Sequence, residues 1–143
     1  MKVYIIGTGL LGGGFALDIQ QEYPEAIIYG LDLNAQHIKE ALECGVIHEE
    51  ASFEDLQNAE VVFLTIPVDV ALSVLPKVLD IIQDNALVID VGSTKQRICE
   101  VVKEHPKRRN FLAAHPIAGT EFSGPKAALR GLYKQKTNII CEV

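Results

Sequence analysis

The sequence predicts an α/β domain built on a doubly wound, mostly parallel sheet. Three observations predict it. Short apolar runs, rich in β-branched residues, recur along the chain as Val3–Ile6, Ala26–Leu31, Val61–Ile66, Leu87–Val91 and Phe111–Ala114. They are continuous rather than alternating, as strands buried on both faces are. Segments of helical period separate them, the alternation expected of a parallel sheet. The first run stops at Gly7-Thr8-Gly9-Leu10-Leu11-Gly12, which reads as a strand, a tight turn and a helix start.

Taken in order, Val3–Ile6 is the first strand and Leu10 to about Gln21 the first helix. Gly13 and Gly14 stand inside that helix, where each costs about 1 kcal/mol against Ala, so close packing on the sheet or on a ligand is expected there. Tyr23-Pro24-Glu25 turns the chain into the second strand. Asn34 to Cys44 is helical, with Ile38, Ala41 and Leu42 on one face and Gly45 as its stop. Val46-Ile47 is expected as a short third strand. Ser52-Phe53-Glu54-Asp55 has the pattern of a capped helical turn.

Val61–Ile66 is the fourth strand and ends at Pro67. Val68 to Ile82 follows as helix, with a break or restart expected at Pro76 near Leu75. Leu87–Val91 is the fifth strand, ending at Gly92-Ser93, before a helix from about Thr94 to Lys103. Phe111–Ala114 is the sixth and runs into His115-Pro116. An irregular stretch, Ile117 to Pro125, leads to a short helix, Lys126 to about Leu132, and Asn138–Cys141 closes the chain as a last strand. There are no repeats, low-complexity tracts or linkers, so residues 1–143 form one domain.

Composition fits this reading. The chain of 143 residues is 48% hydrophobic and 22% charged, ordinary for a globular domain. Its net charge of −6 argues against nucleic acid or an anionic membrane as a partner. No apolar run approaches the length of a membrane span, and Met1-Lys2-Val3 leads straight into a strand without a signal peptide. A cytoplasmic location is expected. Cys44, Cys99 and Cys141 are odd in number and lack metal-ligand spacing, so they are expected as free core residues, with no metal site. His37, His48 and His105 lie in polar segments and are expected at the surface.

Each glycine of the first loop has a physical task. Gly7 permits the turn, Gly9 lets a pyrophosphate approach the backbone, and Gly12 lets helix and strand pack closely. Thr8, Leu10 and Leu11 complete the loop, and the helix N-terminus offers free N–H groups to phosphate. Asp32 closes the second strand twenty residues beyond Gly12, the spacing of a carboxylate that accepts hydrogen bonds from an adenosine ribose. No Arg or Lys follows it to meet a 2′-phosphate, so NAD is expected over NADP. The plainer alternative is a strand-end Asp ahead of an Asn34 helix cap.

Ligands of such sheets bind beyond the carboxyl ends of the strands. Pro67, Ser93 and His115 stand at three of those ends and are expected to face the nicotinamide half of a dinucleotide. His115 is the candidate proton acceptor, since oxidising a carbinol by hydride loss also releases the hydroxyl proton. Ser93 is the candidate for positioning that hydroxyl or the imidazole. Alternatively, His115 satisfies loop carbonyls, and Ser93 or Thr94 caps the next helix. Lys95 is expected either in solvent or against a carboxylate.

Three stretches together resemble the prephenate dehydrogenase family, which includes arogenate and cyclohexadienyl dehydrogenases. They are Gly7-Thr8-Gly9-Leu10-Leu11-Gly12-Gly13, Asp90-Val91-Gly92-Ser93-Thr94-Lys95, and His115-Pro116-Ile117-Ala118-Gly119-Thr120-Glu121 with Ser123-Gly124. The resemblance implies NAD-linked oxidative decarboxylation of prephenate to 4-hydroxyphenylpyruvate in tyrosine biosynthesis. It implies that His115 takes the hydroxyl proton while Ser93 hydrogen-bonds His115 and the substrate hydroxyl. Gly14 departs from the Ser often found there. The family continues into a helical domain that forms a homodimer and supplies an arginine for the substrate carboxylate, and nothing in this chain corresponds to it. On this reading the chain is the nucleotide-binding half, with weak or no activity alone. A stand-alone dinucleotide-binding module and a β-hydroxyacid-type dehydrogenase domain are the competing expectations.

Overall fold

The computed structural model describes residues 1–142. Seven strands form one sheet: β1 (Lys2–Ile6), β2 (Ile27–Leu31), β3 (Glu49–Glu50), β4 (Val61–Leu64), β5 (Leu87–Asp90), β6 (Phe111–Pro116) and β7 (Asn138–Cys141). Their spatial order is β3-β2-β1-β4-β5-β6-β7. Every neighbouring pair is parallel except β6 with β7. The chain moves outward from β1 to β3, returns to the centre at β4 and moves outward again. That reversal between β1 and β4 is where ligands of such sheets bind.

Four helices cover the sheet: α1 (Leu10–Glu22), α2 (Ala35–Glu43), α3 (Val68–Ile81) and α4 (Gln96–Val101). Alternate residues of the central strands feed two cores. Val3 and Ile5 of β1 pack with Ala16 and Leu17 of α1 and Ile38 and Ala41 of α2. Tyr4 and Ile6 pack on the other face with Ala71, Leu75, Val78 and Leu79 of α3 and Ile98 of α4. This two-sided burial is the reason the strands read as unbroken apolar runs. Among the described residues, no helix is long and apolar enough to cross a membrane.

Several elements depart from the sequence expectation. α3 runs through Pro76 without a break. An interior proline costs about 3 kcal/mol, whereas Leu75, Val78 and Leu79 are fully buried at about 1.5–3 kcal/mol each, so packing carries the helix across it. The third strand forms at Glu49–Glu50 rather than at Val46-Ile47. Val46 and Ile47 are instead buried, with both amides bonded to the Ala41 carbonyl at the end of α2.

The helix expected from Lys126 to Leu132 is only a 3-10 turn, Pro125–Ala127. Gly131 has φ +73°, and its N–H donates to Asp18 Oδ1 of α1 at 2.5 Å instead of to a helical carbonyl. This segment also explains the paired glycines of α1. A Cβ on Gly13 would lie 2.6 Å from Ala128 Cβ, and one on Gly14 would lie 2.8 Å from Leu132 Cδ2. The glycines make room for the C-terminal segment, not for the sheet or a ligand. Tyr133 completes the contact, stacking on Phe15 with centroids 3.9 Å apart and donating its hydroxyl to Leu11 O at 2.8 Å.

At Ser52–Asp55 both the N–H and hydroxyl of Ser52 donate to Asp55 Oδ2 at 2.8 Å, but the turn that follows, Glu54–Asn58, is 3-10 and carries no side-chain cap of its own. All three cysteines are free, but Cys44 is exposed rather than in the core. His105 is not a surface residue. Its side chain is largely buried, with Nε2 3.1 Å from Asp80 Oδ1 and Nδ1 accepting from the Lys107 amide.

Candidate dinucleotide site

The loop after β1 is shaped by what its glycines lack. Gly7 has φ +97°, and a Cβ there would lie 2.6 Å from the Thr65 carbonyl. A Cβ on Gly12 would lie 2.1 Å from the Gly7 carbonyl and 2.5 Å from Thr65 Oγ1. Gly9 is the opposite case, with no atom within 4 Å of where its Cβ would be. Two glycines thus close the turn against the sheet while the third leaves an open face.

α1 begins at that open face. Gly9 flanks it with no side-chain cap, and the first turn carries no acid. Its first amides are therefore free donors at the positive end of a helix dipole, the ordinary requirement for holding phosphate. Leu10 and Leu11 are half-buried in this first turn.

Asp32, just beyond β2, is tied directly to the loop. Its Oδ2 accepts from the backbone N–H of buried Thr8 at 2.9 Å and from Thr8 Oγ1 at 3.1 Å, and its Oδ1 accepts from the Asn34 N–H at 2.9 Å. Burial by itself raises its pKa, but the hydrogen bonds from Asn34 and Thr8, with the nearby His37, outweigh burial and hold the carboxyl below its usual range. The group is a carboxylate at neutral pH. A carboxylate has about four acceptor positions, so Oδ1, with its single partner, retains capacity for a sugar hydroxyl. Asn34 also caps α2, accepting from the Gln36 N–H at 3.0 Å, so the cap coexists with the Asp32 arrangement.

The remaining candidates lie on the same edge, since β1, β4, β5 and β6 are successive neighbours running in parallel. Pro67 is exposed and flanks α3. Ser93 is exposed in the loop after β5 and does not cap a helix. α4 starts only at Gln96, without a side-chain cap. Lys95 flanks α4 at the end of that loop. Its ammonium bonds the carboxylate of Asp90, which is 1% exposed at the end of β5. His115 lies within β6, opposite Ile139 of β7. It is half-buried, and its Nδ1 is a buried polar atom without a partner. No hydrogen bond joins Ser93 to His115 in this structure.

The residues present therefore fit a dinucleotide: free helix amides beside an open glycine, and an ionised acid with acceptor capacity. Sequence reasoning missed Thr65, whose hydroxyl holds the glycine turn, and Asp90, the partner of Lys95. His37 is partly exposed, as a surface residue, but sequence reasoning did not see that its Nδ1 lies 3.4 Å from Asp32 Oδ2. A helical spacing argument could have found His37, because it falls in the first turn after the Asn34 cap.

Comparison with known proteins agrees with this geometry. The family model described as "Prephenate dehydrogenase, nucleotide-binding domain" matches residues 15–143. The prephenate dehydrogenase of Bacillus subtilis (strain 168) is 32% identical over 142 residues, covering 96% of this chain and 38% of the relative. That of Lactococcus lactis is likewise 32% identical, covering 99% of this chain and 41% of the relative. A solved prephenate dehydrogenase from A. aeolicus, in complex with hydroxyphenyl propionate and NAD+, superposes with a TM-score of 0.90 at 31% identity, over 100% of this chain and 51% of that one. The chain thus spans about half the length of the solved relative and less of the two enzymes. With the sheet order, the glycine loop and the family match in agreement, the chain belongs to the family of prephenate dehydrogenase nucleotide-binding domains.

Proposed function

We propose that this chain is the NAD-binding half of a dehydrogenase that oxidatively decarboxylates prephenate to 4-hydroxyphenylpyruvate, in tyrosine biosynthesis. The observation that carries the proposal is the convergence on one sheet edge of the Asp32-braced glycine loop and His115. Gly7, Gly9 and Gly12 shape the phosphate site, the α1 amides at Leu10 and Leu11 face the phosphates, and Asp32 accepts from the adenosine ribose. Thr8 orients Asp32, and Pro67 borders the nicotinamide end.

NAD supplies a hydride acceptor. His115 accepts the proton of the substrate hydroxyl, and loss of carbon dioxide then renders the ring aromatic. Because Nδ1 is buried, Nε2 is the nitrogen left for that proton. Ser93, which makes no side-chain hydrogen bond among the described residues, bridges the hydroxyl and the imidazole. Substrate carboxylate recognition and homodimer formation fall to the further half that the relatives possess, in a cytoplasmic enzyme. Arogenate is the second reading of the substrate, favoured by the match to Synechocystis arogenate dehydrogenase, 27% identical with a TM-score of 0.87.

Titration calorimetry with NAD tests the cofactor assignment, and absence of binding overturns it. Prephenate-dependent formation of NADH by the full-length protein tests the reaction. There His115→Asn should cut turnover by about 10²- to 10⁴-fold with NAD affinity unchanged. Equal turnover removes His115 from the chemistry. Arogenate oxidised in preference to prephenate selects the second reading.

A further inference from the structure

The loop between β5 and α4 carries Ser93 and Thr94 exposed on its outer arm. Among the described residues, Gly92, Ser93 and Thr94 make no backbone hydrogen bond. The loop is closed instead by a side-chain contact between its two ends. Lys95 Nζ bonds Asp90 Oδ2 and lies 3.5 Å from the Asp90 carbonyl oxygen. Both side chains are nine-tenths or more buried. The inner arm is fitted closely, since Val91 is in the core and a Cβ on Gly92 would lie 2.9 Å from Val68 Cγ2 of α3.

Strand register sets this loop beside His115. Asp90 stands opposite Ala113 of β6, and His115, two residues further along, shares that face of the sheet. Ser93 follows Asp90 by three residues, so the path of the loop decides where its hydroxyl stands relative to the imidazole.

We propose that Asp90 and Lys95 are positioning residues for Ser93: their pairing draws the ends of the loop together and fixes the Ser93 hydroxyl relative to His115 and the substrate hydroxyl. The inference rests on the role given to Ser93 above. Stability alone does not demand this pair, because well-packed uncharged side chains of similar volume often replace a buried ion pair without loss. What they lack is direction. An ammonium that meets both the carboxylate and the carbonyl of Asp90 restricts where Lys95, and with it the chain from Val91 to Thr94, can lie. A misplacement of about 1 Å at a reacting group can cost about 10²-fold in rate.

The test is single-turnover NADH formation by the full-length protein from prephenate or arogenate, whichever the wild type oxidises. It compares the wild type, Ser93→Ala, the double variant Asp90→Asn with Lys95→Met, and all three changes together, with NAD affinity and denaturant midpoint measured on each. The double variant should stay close to the wild type in midpoint and NAD affinity, yet form NADH about 10- to 100-fold more slowly. A purely structural pair would instead return rate and stability together. Added to Ser93→Ala, the same two changes should slow the reaction by less than about twofold further, because coupled sites are not additive. A full additional loss in that background overturns the route through Ser93. A wild-type rate in the double variant, with Ser93→Ala slow, overturns the inference alone. A wild-type rate in Ser93→Ala overturns the role of Ser93 and the inference with it. Should the double variant not fold, Lys95→Arg decides by the same comparison: it keeps the charge pair, but its planar, longer head resets the loop.

Discussion

Thr65 Oγ1 donates to the Gly7 carbonyl at 2.5 Å and lies 3.0 Å from that of Ile6, so the residue after β4 fastens the turn that ends β1. One hydroxyl proton is shared between two carbonyls of a buried turn. Because β1 and β4 are the strands where the topology reverses, this bond spans the crevice in which the phosphates are proposed to lie. Thr65→Val keeps the shape and deletes the donor. It should cost about 1–3 kcal/mol in urea unfolding and weaken NAD binding, whereas Thr65→Ser should keep most of both. Equal stability of Thr65→Val and the wild type would mean that the loop holds without the hydroxyl.

Asp32 gives the stability a defined acid dependence. Its folded pKa is depressed, so its hydrogen bonds contribute fully above the unfolded carboxylate value of about 3.9. That contribution is lost as pH falls through the lower folded value. Between about pH 5 and pH 3, thermal unfolding of the wild type should therefore lose stability more steeply than that of Asp32→Asn. Superimposable acid limbs for the two proteins would contradict the depressed carboxyl.

What the sequence disclosed follows from which interactions are local. The buried runs at Val3–Ile6 and Val61–Leu64 announced strands because both faces are covered. The spacing from Gly12 to Asp32 placed an acid at the loop because one βαβ unit fixes it. Gly13 and Gly14 were visible as an anomaly, but their cause was not. The residues that need the room, Ala128 and Leu132, lie more than a hundred positions away. Pro76 misled for the same reason, since the burial of α3 that overrides it is tertiary. The contact of Thr65 with Gly7 depends on strand neighbours that no local pattern encodes, whereas Asp90 and Lys95 are only five residues apart and their pairing turns on the conformation of the loop between β5 and α4.

The Asp90–Lys95 pair predicts a strong non-additive effect. Asp90 is 1% exposed and the Lys95 side chain 10%, so neither charge is well solvated. Lys95→Met would leave the carboxylate buried and unpaired, costing about 3–5 kcal/mol. The double variant Asp90→Asn with Lys95→Met removes both charges and should recover more than half of that loss in chemical denaturation. Additive losses would show that the two side chains act independently.

The glycine loop makes the sharpest separation between folding and binding. At Gly9 the backbone is in an ordinary extended conformation, φ −74° and ψ −157°, with open space where a Cβ would stand. Gly9→Ala should therefore fold with a stability close to that of the wild type. Its methyl would nevertheless project into the face proposed for the pyrophosphate, so NAD affinity should fall by at least about tenfold, the loss of roughly one charge-assisted hydrogen bond. Gly12→Ala presents the reverse. Its methyl would meet the Gly7 carbonyl, a backbone atom, at 2.1 Å, and relief requires moving the turn itself, at about 1–3 kcal/mol or more. Thermal melts and NAD titrations on the two variants should thus diverge, with Gly9→Ala stable but poor at binding and Gly12→Ala impaired in both. A Gly9→Ala protein that binds NAD as tightly as the wild type would place the pyrophosphate away from Gly9, although Gly7 and Gly12, the other glycines of the loop, are both closed by neighbouring atoms.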